Sequence, residues 1–200
     1  MNTLNVVVEK VETLSDDWYL LKKTTFTRKR SNGQSQTLTR ETYDRGNGAT
    51  ILLYNLQQRT VVLTQQFRYP TYVNGNKTGE LIEAAAGLLD NAAPAERIRQ
   101  EAEEETGYRV SNVEPIYEAF MSPGSVTERV YFFIAAYEDA NRISSGGGIV
   151  DEGEDIKVLE IDFSKALSMI ESGEICDAKT IMLLQYAALK LFNHTHEETA

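Results

Sequence analysis

The stretch Arg99-Gln100-Glu101-Ala102-Glu103-Glu104-Glu105-Thr106-Gly107-Tyr108 decides how the chain is read. Pro94 suits a first helical position and Gly107 the residue just past a helix end, so 94–106 reads as a helix. On it, Glu101 and Glu105 are i and i+4, and Glu104 is i+3 from Glu101, which places three carboxylates on one face. Each like-charge pair costs about 0.2–0.5 kcal/mol. The acids also crowd the end where the helix macrodipole already disfavours anions. Two readings remain open: a solvated acidic face, or a cluster neutralised by a divalent cation. Ile98 and Ala102 flank the carboxylates, so the acidic face borders the buried one. Hard oxygen donors of this kind suit Mg2+, Mn2+ or Ca2+ rather than zinc.

Strand patterns surround this helix. Ala49–Tyr54 and Thr60–Phe67 form a pair joined by a polar stretch, and Leu81–Leu89 is a short apolar run. Val113–Met121 and Arg129–Tyr137 flank a Ser122-Pro123-Gly124-Ser125 loop, and Val158–Ile161 is a further strand. Phe163–Glu171 and Thr180–Phe192 are amphipathic helices. Between Arg129–Tyr137 and Val158–Ile161, Ser144–Glu154 combines three successive glycines with several acids and has no periodicity, which predicts a loop that is mobile, functional or both. Strands alternating with helices give an α+β chain.

The first forty-odd residues differ from the rest. Val6-Val7-Val8 is a short β-branched run, Trp18–Arg30 is basic and loosely alternating, and Gln36–Tyr43 returns after the Ser31-Asn32-Gly33 turn. With so little large apolar material, this segment is expected to need another surface, a second subunit among the candidates. The boundaries read as 1–45 for an N-terminal β segment, 46–193 for the main domain and 194–200 for a tail.

Length and composition set the outer limits. Two hundred residues suit one domain with an appendage at about 150 residues per domain. A 42% apolar fraction supports a packed core. Twenty basic against thirty acidic residues leave a net charge of −10. That balance argues against nucleic acid as a partner, because phosphate binding needs a basic footprint. It fits instead a need for cations wherever anionic substrates are handled. Cys176 is the single cysteine, which excludes an internal disulfide framework and a cysteine-rich zinc site. The longest apolar run, Tyr131–Tyr137, is far too short to span a membrane, and the start lacks a leader pattern. A cytoplasmic setting without a membrane partner is expected. His194 and His196 read as surface residues of the tail.

Gly87-Leu88-Leu89-Asp90 together with Arg99–Tyr108 resembles the Nudix box, whose pattern is G-x5-E-x7-R-E-U-x-E-E-x-G-U with U a bulky apolar residue. Glu101, Glu104, Glu105 and Gly107 fall on its core. Ala93 stands where the first glutamate is expected, Gln100 replaces the arginine with Arg99 one position early, and the Gly-to-Glu spacing is one residue short. The resemblance covers roughly residues 40 to 190. Arg40–Gly46, Gln66-Phe67-Arg68, Ala85-Ala86-Gly87, Ser122–Arg129 and Glu152–Ile156 are similar to blocks that recur in this order in the nucleoside-diphosphate-sugar hydrolases. Tyr43–Tyr54, Tyr72–Asn76, Gly87–Asn91 and Gly146–Gly148 are most similar to the GDP-mannose pyrophosphatase branch.

The resemblance implies a Nudix α/β/α sandwich with a mixed sheet, preceded by a small antiparallel N-terminal β segment. It implies a pyrophosphohydrolase that uses Mg2+, with Mn2+ as a substitute, to cleave the diphosphate of a nucleotide sugar, preferably GDP-mannose to GMP and mannose 1-phosphate. An ADP-ribose pyrophosphatase and a non-catalytic nucleotide-sugar binding module are the alternatives. By the same resemblance, Glu101, Glu104, Glu105 and the carbonyl of Ala86 hold the metal. Glu152 or Glu154 is the catalytic base, with Glu154 otherwise a further metal ligand. Arg40, Tyr43, Arg68 and Glu128 bind the nucleotide sugar. A homodimer is implied, with the N-terminal strands packed on or exchanged with the partner and Arg40 serving the partner's site.

Overall fold

Strand β1 (Val6–Asp16), β2 (Leu20–Lys29) and β3 (Ser35–Asp44) pair antiparallel in that order. The computed structural model describes residues 6–149, 151 and 153–192. Glu152 and residues 193–200, with His194 and His196, lie outside the described residues. The chain divides into two units, Met1–Asn47 with Phe120–Arg129, and Gly48–Ala119 with Val130–Ala200.

In the first unit, β1 runs well past the valines that mark its start. Its register with β2, from Val6 opposite Arg28 to Asp16 opposite Leu20, is carried through two bulges. Pairing with a neighbour extends the strand beyond what local β-propensity indicates. Threonines face each other across β2 and β3, Thr25 with Thr39 at 3.2 Å and Thr27 with Thr37 at 2.6 Å. The loop that follows Phe120 joins this unit through Tyr43. Its amide donates to the Ser125 carbonyl at 2.8 Å and its carbonyl accepts from the Thr127 amide at 3.0 Å. No residue of β1, β2 or β3 is buried.

The second unit is built on a seven-stranded mixed sheet. Its strands are β4 (Gly48–Asn55), β5 (Thr60–Phe67), β6 (Glu80–Glu83), β7 (Ala85–Leu88), β8 (Glu114–Phe120), β9 (Arg129–Ala136) and β10 (Lys157–Asp162). Strand β4 runs parallel to β9 and antiparallel to β5. The apolar run Leu81–Leu89 is not one element. It divides at Ala84 into β6, which pairs with β5, and β7, which pairs with β4. The cause is a fork: β4 and β5 pair only near their connecting turn, from Leu53–Val62 to Asn55–Thr60, and the two short strands fill the opening beyond it. Buried threonines hold the fork, with Thr50 Oγ1 donating to the Ala85 carbonyl and Thr64 Oγ1 to the Glu83 carbonyl.

Helices complete the expected α+β architecture. Helix α1 (Tyr69–Val73) is a single short turn after β5, α2 spans Pro94–Thr106, α3 Phe163–Ser172 and α4 Ala178–Lys190. Helix α2 packs on β4, β5 and β7, while α4 packs on β4 and α3 on β5, β10 and α4. Ala49, Ile51 and Leu53 of β4 share a core with Ile98 and Ala102 of α2. The strand pleat turns Thr50 and Leu52 the other way, so β4 is buried on both faces, as a central strand requires. Among the described residues no helix is long and apolar enough to cross a membrane.

Ile98 is fully buried where α2 meets this core. Ile98→Ala should lower stability by about 2–5 kcal/mol, the range for such truncations, read as an earlier urea midpoint at unchanged m-value.

Candidate active site

The buried stripe of α2 consists of Ile98, Glu101, Ala102, Glu105 and Thr106, the i, i+3, i+4, i+7, i+8 pattern of a core-facing helix. Two of these five are glutamates, with Glu101 5% and Glu105 1% exposed. A solvated acidic face is therefore excluded for both. It holds for Glu103, which meets Arg109 in an exposed bidentate pair. Burying a carboxylate is costly unless it is neutralised or paired. Burial pushes Glu105 well above the usual carboxylate range, and the neighbouring Glu101 and Glu154 push it further; the Ala86 amide and Arg68 act in the opposite direction.

Strand β7 supplies the floor. The Ala86 amide donates to Glu105 Oε2 at 3.2 Å. A Cβ built on Gly87 would fall within the Glu101 carboxyl group, so glycine is required there to let the side chain lie across the backbone. The brace is Arg97, two residues before the arginine singled out in the sequence. Its Nη2 lies 2.6 Å from Glu101 Oε1, its Nη1 3.7 Å from Glu104 Oε2, and its Nε donates to the Leu88 carbonyl at 3.2 Å. The i, i+4 spacing of Arg97 and Glu101 was the available signal.

The glycine-rich loop closes over the helix end. Amides of Gly147 and Gly148 donate to the carbonyls of Glu105 and Glu104 at 2.9 and 3.1 Å, and the Ile143 amide donates to the Gly107 carbonyl at 2.9 Å. These bonds satisfy carbonyls that a helix terminus leaves without partners. All three glycines have positive φ, and a Cβ on Gly146 would strike the backbone of Glu105–Gly107. Gly146 is thus packed against the end of α2, and Gly147 and Gly148 bond to it through their amides. Glu154 Oε2 accepts from the Ile149 amide at 2.8 Å.

A second cluster of charges surrounds Arg68. Its Nε donates to Glu83 Oε2 at 2.6 Å, and Glu83 Oε1 accepts from Lys179 Nζ at 3.2 Å. Lys179 also donates to Asp177 at 2.7 Å, and Asp177 caps α4 by accepting from the Thr180 amide at 2.9 Å. Sequence reading passed over Glu83 and Lys179. The signals were a charge inside an apolar run, and a lysine in a helical first turn, where the macrodipole disfavours cations.

Glu101, Glu104, Glu105, Ala86, Arg68 and Glu154 all belong to the second unit. Arg40, Tyr43 and Glu128 belong to the first. There Arg40 Nη1 donates to the Thr39 carbonyl at 2.8 Å, Tyr43 stands edge-on to Tyr19, and Glu128 lies 3.5 Å from Arg45. Among the described residues no three carboxylate, imidazole or thiol groups are already gathered at metal-ligand geometry. Arg97, the Ala86 amide and the Ile149 amide engage carboxylates of Glu101, Glu105 and Glu154 instead. The donor chemistry nevertheless fits a hard divalent cation. Glu101 and Glu105 are buried side by side on the core-facing stripe of α2, and carboxylate oxygens are the donors such a cation takes.

A carboxylate-bearing helix ending in Thr-Gly and packed on a mixed sheet is the arrangement of a Nudix domain, and the NUDIX domain model matches residues 44–183. The chain belongs to the Nudix hydrolase family, whose members generally need a divalent cation. A second model, the GDP-mannose pyrophosphatase NudK N-terminal domain, matches residues 5–43. The chain is 58% identical over 184 residues to a GDP-mannose pyrophosphatase of Pectobacterium atrosepticum, covering 92% of this chain and 94% of that one. It is 55% identical over 184 residues to the protein of that name from Klebsiella pneumoniae, covering 92% of each. A solved structure of an ADP compounds hydrolase shares the fold with a TM-score of 0.68 at 14% identity, covering 96% of this chain and 100% of that one.

Because the atoms nearest a Cβ at Gly87 belong to the Glu101 side chain and not to the backbone, Gly87→Ala should fold and displace that carboxylate. Mg2+ affinity measured by calorimetry should fall at least about tenfold, as for other losses of support around a metal site, with the melting temperature little changed.

Proposed function

We propose that the chain is a Mg2+-dependent pyrophosphohydrolase that cleaves GDP-mannose to GMP and mannose 1-phosphate. The observation that carries this reading is 55–58% identity, over nearly the whole chain, to proteins named for that activity. Glu101, Glu104, Glu105 and the Ala86 carbonyl are the proposed holders of Mg2+. The bound cation would neutralise diphosphate oxyanions and lower the pKa of a coordinated water. Glu154 or Glu152 accepts the proton of the attacking water. A new P–O bond forms as the bridging P–O bond breaks, and the two products leave as phosphomonoesters. Arg68 donates to diphosphate oxygens in the charge-assisted geometry that guanidinium offers. Tyr43, Glu128 and Arg40 are further proposed contacts to the nucleotide sugar.

The N-terminal segment, residues 1–45, is the proposed dimerisation element beside a hydrolase domain over 46–193. Its support is a three-stranded sheet without one buried residue, carrying exposed Val6, Val7, Val8, Val11 and Leu14 on an eleven-residue edge strand. Such edges are usually covered or blunted. In a homodimer, Arg40 would serve the partner's site.

With GDP-mannose and Mg2+, chromatography should show equal amounts of GMP and mannose 1-phosphate, and a slower rate on ADP-ribose. The absence of GMP would overturn the reading. Glu105→Gln should lower kcat/KM by about three orders of magnitude, in keeping with a metal contribution of several kcal/mol. Light scattering at micromolar concentration should give twice the chain mass of 22.5 kDa; a monomeric mass would remove the dimer.

A further inference from the structure

We propose that Glu83 is a positioning residue for substrate binding: it fixes the direction of the Arg68 guanidinium and ties it, through Lys179 and Asp177, to the start of helix α4. The proposal rests on the reading of Arg68 as a diphosphate ligand and goes beyond it.

Several observations converge on Glu83. It occupies the last position of β6, beside the fork of the sheet, and its side chain is 4% exposed. One oxygen takes Arg68 Nε at 2.6 Å and the other takes Lys179 Nζ at 3.2 Å, so a single buried carboxylate orients two cations. The next residue anchors the arrangement, because the Ala84 amide donates to Thr180 Oγ1 at 2.7 Å and Thr180 Oγ1 donates to Asp177 Oδ2 at 2.7 Å. Backbone bonds fix Arg68 as well, its amide donating to the Gly79 carbonyl at 2.8 Å. Arg68 is therefore held both at its backbone and at Nε.

The exposure is one-sided. Glu83 is sunk in the unit, yet 39% of the Arg68 side chain remains open to solvent. A pair retained only for stability has little reason to be built this way, since well-packed apolar residues often do as well as a buried ion pair. A planar cation held through Nε presents its remaining donors in a fixed plane, which is how bidentate recognition of phosphate oxygens is prepared. Glu83 itself need not touch substrate.

A double-mutant cycle on the full chain tests this. Glu83→Gln, Arg68→Ala and the double variant are assayed with Mg2+ over a panel of GDP-mannose, ADP-ribose and other nucleoside-diphosphate sugars. Wild-type turnover of GDP-mannose judges the proposed function by itself, and the cycle is read on whichever panel member the wild type turns over fastest. Glu83→Gln should raise KM about tenfold with kcat within about threefold, the pattern of lost ground-state binding. In the Arg68→Ala background the same change should raise KM less than about twofold, because coupled residues are not additive. A full and additive penalty in that background would overturn the proposal, as would a fall in kcat at constant KM. If Glu83→Gln does not fold, Glu83→Asp replaces it in the same cycle, with the same outcomes deciding. A wild type that turns over no panel member would overturn the function and this proposal together.

Discussion

Two carboxylates sunk into the apolar stripe of α2 are the constraint around which the second unit is arranged. An isolated charge in that position is costly, and the surrounding chain answers each one. Arg97 reaches along the helix to Glu101, and the Ala86 amide is aimed at Glu105. Gly87 gives up its side chain so that Glu101 can lie flat on β7. The fork between β4 and β5 brings β7 under the helix in the first place. Packing alone would have chosen leucine at both positions; the acids are intelligible as ligands for a hard cation.

Much of this was legible in the sequence. Pro94 and Gly107 fixed both ends of α2, because proline and glycine carry opposite conformational restrictions. The i, i+3, i+4 spacing identified the acidic cluster. What stayed hidden depended on distant partners. No local signal divides Leu81–Leu89 at Ala84, since each half takes its hydrogen bonds from a different strand. The length of β1 comes from its register with β2, not from its own valines. Alignment to the box drew attention to Arg99, whereas Arg97 is on the face that meets Glu101. Glu83 and Lys179 are 96 residues apart and meet only in the folded chain.

The charged groups separate into an acidic cluster on α2 and a mixed cluster of Arg68, Glu83, Lys179 and Asp177. Both belong to the same unit. Arg68 opposes the rise in the proton affinity of Glu105, while Glu101 and Glu154 promote it. The pairing suits a ligand whose negative charge must be shared between a bound cation and fixed side-chain donors.

The glycine triplet has a consequence for heredity. Gly146, Gly147 and Gly148 each adopt a backbone conformation that L side chains rarely take, and Gly146 also abuts the main chain at the end of α2. Substitution in that stretch would strain the loop and disturb the acid-bearing terminus at the same stroke. A lineage that keeps this loop against the helix end therefore has scant room for drift at these positions, whatever side chains the helix carries.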